Sequence, residues 1–287
     1  MNFGAWLTDS FIALQEAMFA LAAPVLFSLG MGNLLEDAYA ASAWLLAGVL
    51  QILVILVVFG PLQRWRPVEA VTDRATIRTD MIYTLIHRLG LFRVALFFLL
   101  GPLLNDAFGQ LRVAGLGTFH LDQLWPGVSD GALVSLLIYL VVFDFFAYWL
   151  HRGQHGIELW WRLHSLHHAQ RQMSMWSDNR NHFLDDMLID VMLVLLAQLI
   201  GVAPEQFIAI VALTQLSESL QHANVRLSFG RVGERLWVSP RFHRLHHSVG
   251  IGHETARPRA GDTKAVLGGH NFGVLFPWWD MLFGTAD

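Results

Sequence analysis

Four runs in this chain are long and apolar enough to cross a lipid bilayer, and that narrows the possible folds more than any other feature. They are Phe11 to Gly30, Ala41 to Gly60, Met81 to Leu104 and Gly131 to Leu150. Crossing the hydrocarbon takes about 20 mostly apolar residues at 1.5 Å of rise each. Only 15% of the chain is charged, against roughly 25% in a soluble domain, so the bilayer is the expected solvent. Two shorter apolar stretches, Phe183 to Gly201 and Gln206 to Leu220, are separated only by "VAPE" and predict a helical hairpin that dips in and returns. The predicted fold is all-α: an integral membrane bundle of four spans plus a short helical hairpin.

Orientation follows from the arginines, because short cytoplasmic loops are enriched in Lys and Arg. The loop after the second span holds Arg64, Arg66, Arg74 and Arg78, whereas the loop after the first holds Glu36 and Asp37. The Arg-rich side is expected to be cytoplasmic. The fourth span then delivers Leu150 to that side, the hairpin returns His222 there, and the polar tail from Asn224 to Asp287 follows. Clustered histidines thus converge on one face, as a His-rich cap.

Other classes are excluded by what the chain lacks. With no cysteine, disulfides, Cys-ligated zinc and thiolate-held iron-sulfur clusters are impossible. A formal charge of −4 with no basic run leaves no footprint for nucleic acid. The first ten residues carry no positive n-region, so the first apolar stretch reads as a retained anchor rather than a signal peptide.

The chemistry sits in three histidine boxes. In "DFFAYWLHRGQH", helical spacing puts Asp144, Tyr148, His151 and His155 on one stripe, with the two histidines able to grip one metal and Asp144 and Tyr148 behind them. A carboxylate within a span is costly and marks a functional partner. In "LWWRLHSLHH", His164, His167 and His168 stand at i, i+3 and i+4, and "PRFHRLHH" repeats the pattern at His243, His246 and His247, with Ser239 and Pro240 suited to cap and begin a short helix. These eight histidines exceed the four positions of a typical zinc site, so they imply two metals, or one metal with bystanders. Imidazole suits iron, copper, nickel and zinc alike.

Three ordered boxes, with the hairpin between the second and third, the lone His222 in "QHAN" and the closing "NFGVLFPWWDMLFGT", resemble the fatty acid hydroxylase/sterol desaturase superfamily of membrane di-iron oxygenases. The resemblance covers Asp144 to Thr285. It makes residues 1–130 a membrane anchor and residues 131–287 the catalytic domain. It implies two iron ions held by His151, His155, His164, His167, His168, His222, His243, His246 and His247, with O2 as co-substrate. The implied reaction is hydroxylation or desaturation of an unactivated C–H position of a lipid, sterol-like or fatty acyl, with electrons from an external ferredoxin- or cytochrome-like donor. Asp144 and Glu218 are the candidate catalytic carboxylates. Glu218 occupies the position where the fatty acid 2-hydroxylase branch is expected to carry a further histidine, which favours a sterol-desaturase-like assignment.

Each ligating imidazole also needs a partner for its other ring nitrogen, for which Asp144, Asp185, Asp186 and Asp190 are candidates. His182, His253 and His270 border the boxes, His87 is expected to pack or line a channel, and His120 should lie on the opposite side. Trp160, Trp161, Trp278 and Trp279 read as interfacial anchors. The competing reading is a His-rich membrane protein that handles zinc or iron without redox catalysis; a bis-imidazole haem carrier would leave most of the histidines superfluous. The expected location is a membrane, the bacterial inner membrane, with the metal site on the cytoplasmic side.

Overall fold

The computed structural model describes residues 3–91, 103–104, 106–248 and 269–287, and among these it contains helices and no strand. The chain opens with α1 (Phe3–Ser28) and α2 (Leu35–Val54), which runs through a π-helical turn, Ile55–Phe59, into α3 (Gly60–Trp65). Next is α4 (Arg74–Arg88), started by the Asp73 carboxylate, which accepts from the Thr76 amide at 3.0 Å and its hydroxyl at 2.6 Å. This is the capping that leaves fewer orphan amides at a helix start. Long α5 (Ala132–Gly156) turns directly into α6 (Glu158–His164).

The predicted hairpin is α7 (Phe183–Ile200) and α8 (Pro204–His222). Gly201 ends α7 in the left-handed region (φ +72°) and Pro204 opens α8, the punctuation expected of a sharp reversal. Short α9 (Gly230–Gly233), α10 (Pro240–His246) and α11 (Trp278–Phe283) complete the cap. Ser239 caps α10 by accepting from the Phe242 amide at 3.1 Å, as the sequence suggested.

Among the described residues, three helical stretches are long and apolar enough to cross a membrane: Gly4–Ser28, Gly32–Trp65 and Ala132–Gly156. They correspond to the first, second and fourth predicted spans. In the third, Met81 to Leu104, residues 92–102 lie outside the described residues; its beginning belongs to α4, which turns Asp80, Thr84 and Arg88 inward. Close approach of α4 to α2 requires Gly48, since a Cβ there would sit 1.6 Å from the Arg88 carbonyl oxygen.

The bundle has two distinct ends. At one, the hairpin turn is pinned to α5: the Tyr139 hydroxyl donates to Asp122 at 3.0 Å and to the Gly201 carbonyl at 3.2 Å, and the Phe119 amide donates to the Leu199 carbonyl at 2.8 Å. At the other, the loop after α3 docks on the His-bearing cap. There the Arg226 amide donates to the Arg66 carbonyl at 2.7 Å, and Asn224 Oδ1 accepts from the Val68 and Glu69 amides. The Arg-rich loop and the histidines therefore share one end. An apolar cluster of Ile55, Phe59, Met175, Trp176, Ala223 and Val225 joins α2 to the cap. A second, around Tyr139, Phe143, Ile210 and Leu275, joins α5 to the hairpin and the C-terminal segment.

Candidate metal centre

Nine histidines meet in two groups, each with its ring nitrogens within 4.8 Å of one another. One group, here site A, is His151, His155, His164, His168 and His246; the other, site B, is His167, His222, His243 and His247. Every histidine expected to ligate is in one of them. Each H-x-x-H-H box is divided between the two groups. The i, i+4 pair His164 and His168 joins site A and leaves His167 to site B; the i, i+4 pair His243 and His247 joins site B and leaves His246 to site A. The two copies of H-x-x-H-H are thus interleaved, and His168 stacks on His247 across the junction with centroids 4.3 Å apart.

Four of the rings have fixed tautomers. His151 Nδ1 lies 2.9 Å from the Phe272 carbonyl, His246 Nδ1 2.8 Å from the His270 carbonyl, and His222 Nδ1 2.8 Å from the Glu218 carbonyl. A carbonyl oxygen only accepts, so each Nδ1 carries the proton and each Nε2 offers a lone pair. His164 Nδ1 is 3.1 Å from the Asp185 carboxylate, which also accepts from Gln154 Nε2 at 2.9 Å and Trp160 Nε1 at 2.8 Å. Holding one ring nitrogen in this way sets the aim of the other.

The opposite nitrogens converge without partners of their own. His164 Nε2, His246 Nε2 and His247 Nε2 are buried with no hydrogen-bond partner among the described residues. His222 Nε2 faces both His167 Nε2 and His243 Nε2 at 3.1 Å. An unsatisfied buried polar atom costs about 1–3 kcal/mol, and a cation in each group would satisfy all of them together. Burial first, and neighbouring imidazoles second, hold His167, His168, His243, His246 and His247 well below the ordinary histidine range. Neutral imidazole is the ligating form. The residues present therefore fit two metal ions of the kind that imidazole binds.

The carboxylates are arranged differently from the sequence expectation. Asp144 does not touch a histidine ring. It accepts from the Leu275 amide at 2.7 Å, the Phe276 amide at 3.1 Å and Trp279 Nε1 at 2.9 Å, so it fastens the C-terminal segment to α5. Glu218 belongs to neither histidine group; its carbonyl, which any residue would supply, orients His222. Asp185 is hydrogen-bonded to a ligand ring, as expected of a carboxylate partner, while Asp186 pairs with His87 at 3.4 Å.

Among the other histidines, His182 caps α7 by accepting from the Leu184 amide, and His270 contributes its carbonyl to His246. His120 lies at the far end of the bundle against Gly201, and His253 falls outside the described residues. The four tryptophans expected at the interface are half-buried and also make contacts within the protein. Trp160 bonds Asp185, Trp161 packs on His155 and His168 with centroids 5.0 and 5.4 Å away, Trp278 stacks on Phe276, and Trp279 bonds Asp144. Sequence reading missed Gln154, Asn271 and Asp280, together with the backbone carbonyls, which leave no mark in a sequence.

A cavity of about 210 Å³ opens beneath both groups. His151, His164, His167, His222 and His243 form its roof, and Phe143, Ala147, Leu193, Ile210 and Val211 contribute apolar wall. Polar wall comes from Arg88, Asp186, Asp190, Gln215 and Glu218.

The chain is 27% identical over 206 residues to ornithine lipid hydroxylase OlsE of Rhizobium tropici, covering 72% of this chain and 56% of that protein. It is 24% identical over 197 residues to the very-long-chain aldehyde decarbonylase GL1-10 of Oryza sativa subsp. japonica, covering 66% and 58%. The chain thus spans a little over half the length of these relatives. No solved structure matches it. The profile of the fatty acid hydroxylase family matches residues 136–285, from α5 to the end of the C-terminal segment and so across all nine histidines; the chain belongs to the fatty acid hydroxylase family.

Proposed function

We propose that this chain is a membrane-bound, O2-dependent oxidoreductase that uses two irons to hydroxylate, or alternatively desaturate, an unactivated C–H position of a lipid. The observation that carries the reading is that both all-imidazole groups contribute to one cavity, whose lining also includes Phe143, Ala147, Leu193, Ile210 and Val211. Bound iron would supply the activation of O2 that no amino-acid side chain provides. The chain's own residues do the rest. His151, His155, His164, His168 and His246 would hold one ion and His167, His222, His243 and His247 the other. Phe143, Ala147, Leu193, Ile210 and Val211 would seat a lipid segment and exclude water, which strengthens every electrostatic interaction at the roof.

Hydroxylation balances as a lipid C–H plus O2, two electrons and two protons giving C–OH and water. With no cysteine and no dinucleotide-binding glycine motif in the chain, the electrons come from an external ferredoxin- or cytochrome-like donor. We place the His-bearing end on the cytoplasmic side, where such donors are found, because the Arg-rich loop docks there. A bacterial inner membrane is the proposed location, in keeping with the Rhizobium relative. Between the two products, the name of that relative favours hydroxylation of a membrane lipid.

The test has two arms. Metal analysis of the detergent-purified chain should give close to two irons. Mass spectrometry of lipids from cells with and without the chain should show a 16 Da gain for hydroxylation, or a 2 Da loss for desaturation. Iron-loaded protein that changes no lipid but carries metal into vesicles would replace this reading with metal handling.

A further inference from the structure

The partners of the two histidine groups come from different parts of the chain. In site A, His151 on α5 and His246 on α10 both donate Nδ1–H to the C-terminal segment, to the carbonyls of Phe272 and His270. Those two carbonyls flank Asn271, the one described residue other than glycine with positive φ, at +58°. That conformation is uncommon outside glycine, with Asn among the tolerant residues. The alternation it creates lets consecutive turns of one short strap serve ligands on two different helices. In site B, His222 Nδ1 donates to the carbonyl of Glu218 on α8, and Nδ1 of His167 and of His243 has no hydrogen-bond partner among the described residues.

The strap is itself heavily constrained. Asn271 is fully buried; its Nδ2 donates to the Phe242 carbonyl at 3.1 Å, its amide to the Thr285 carbonyl at 2.8 Å, and its Oδ1 accepts from the Asp287 amide at 2.8 Å. Asp280, also fully buried, accepts from the Phe272 amide at 2.8 Å, the Gly273 amide at 2.6 Å and the Thr285 hydroxyl at 2.6 Å. Asp144 then ties the next turn, Leu275 and Phe276, to α5. Three side chains thus fix a strap whose carbonyls fix two rings. None of the three touches a ring nitrogen.

We propose that Asn271 and Asp280 are positioning residues for site A alone: through the carbonyls of His270 and Phe272 they set the tautomer and aim of His246 and His151, and so govern metal retention there but not in site B. This rests on the two-metal reading above. Groups hydrogen-bonded to a ligand's other ring nitrogen typically change metal affinity 10- to 100-fold when disturbed, and the strap holds two of them.

The experiment titrates Co(II), whose visible bands report imidazole coordination, into the detergent-purified, metal-stripped full chain and its variants. Wild type should bind two ions. Asp280→Asn, close in shape but without the second acceptor oxygen, and Asn271→Ala, which loses the side-chain bonds and resists positive φ, should each weaken one ion 10- to 100-fold and leave the other unchanged. Asn271→Gly, which keeps φ but loses the side-chain bonds, should fall between. His243→Ala marks site B, so adding Asp280→Asn to it should weaken the remaining ion. Two ions at wild-type affinity in Asp280→Asn and Asn271→Ala overturn the proposal, as does equal weakening of both ions in a folded variant. A wild-type chain that binds no Co(II) or iron overturns the two-metal reading instead.

Discussion

The membrane helix α1 and the histidine cap bury opposite things. In α1, Leu21 is 79% and Phe27 65% exposed, surface that the bilayer covers. In the cap, the most deeply buried groups include His155, His246, Asn271, Ser239 and Asp280, each at 0% exposure. Lipid is as apolar as leucine, so apolar contact gives little drive between helices inside a membrane. The cap is held instead by polar groups that have partners, where losing one partner strands the other. A substitution should therefore be nearly silent in α1 and severe in the cap.

The largest effect is expected at the histidines. Changing His164, His167, His243 or His246 to Ala should lower lipid turnover by more than 100-fold through metal loss, read as metal per chain alongside product. Normal metal content in an inactive variant would separate ligation from catalysis and break that link.

Next comes the buried pair beneath the cap. The Arg88 guanidinium contacts Asp178, the Gln215 carbonyl and the Ser219 hydroxyl, and both charged side chains are almost fully buried. Arg88→Met leaves the Asp178 carboxylate without its cation, a loss of about 3–5 kcal/mol. Arg88→Met combined with Asp178→Leu should recover much of it. Equal thermal stability of wild type and the single variant would show that the pair is not a structural element.

A third expectation concerns pH. His168, His243, His246 and His247 are held neutral, by burial first and neighbouring imidazoles second, with folded pKa below the unfolded value near 6.5. Their contribution to apoprotein stability is complete above that value and is lost as pH falls, since the unfolded chain binds protons that the folded chain does not. The slope is roughly 1 kcal/mol per pH unit for each such histidine. Metal-stripped protein should lose thermal stability steeply from pH 7 to pH 5, whereas a flat profile would mean that the rings protonate freely in place.

The smallest effects belong to the other side of the comparison. Leu21→Ala on the lipid-facing surface of α1, and His120→Ala at the far end of the bundle, should each change stability by less than about 0.5 kcal/mol and leave turnover unchanged. A large loss at Leu21 would mean that α1 faces another protein surface.

Much of this was legible in the chain. Apolar runs located the helices Gly32–Trp65 and Ala132–Gly156, "VAPE" located the hairpin turn, Ser239 located the start of α10, box spacing located eight histidines and the family resemblance added His222, and all nine converge. Asp144 shows the limit. A carboxylate on the stripe of His151 and His155 looked like their partner, yet it holds the amides of Leu275 and Phe276. Three rings are oriented instead by the carbonyls of Glu218, His270 and Phe272, and His164 by the Asp185 carboxylate.

Periodicity and spacing are local properties, so the sequence alone determined which residues are helical, which histidines travel together and that the bilayer is their solvent. Only tertiary structure decided how nine rings divide into five and four and what aims each one. That division depends on which helices cross near which. The aiming groups are largely backbone carbonyls, present at every residue and therefore invisible until the chain has folded.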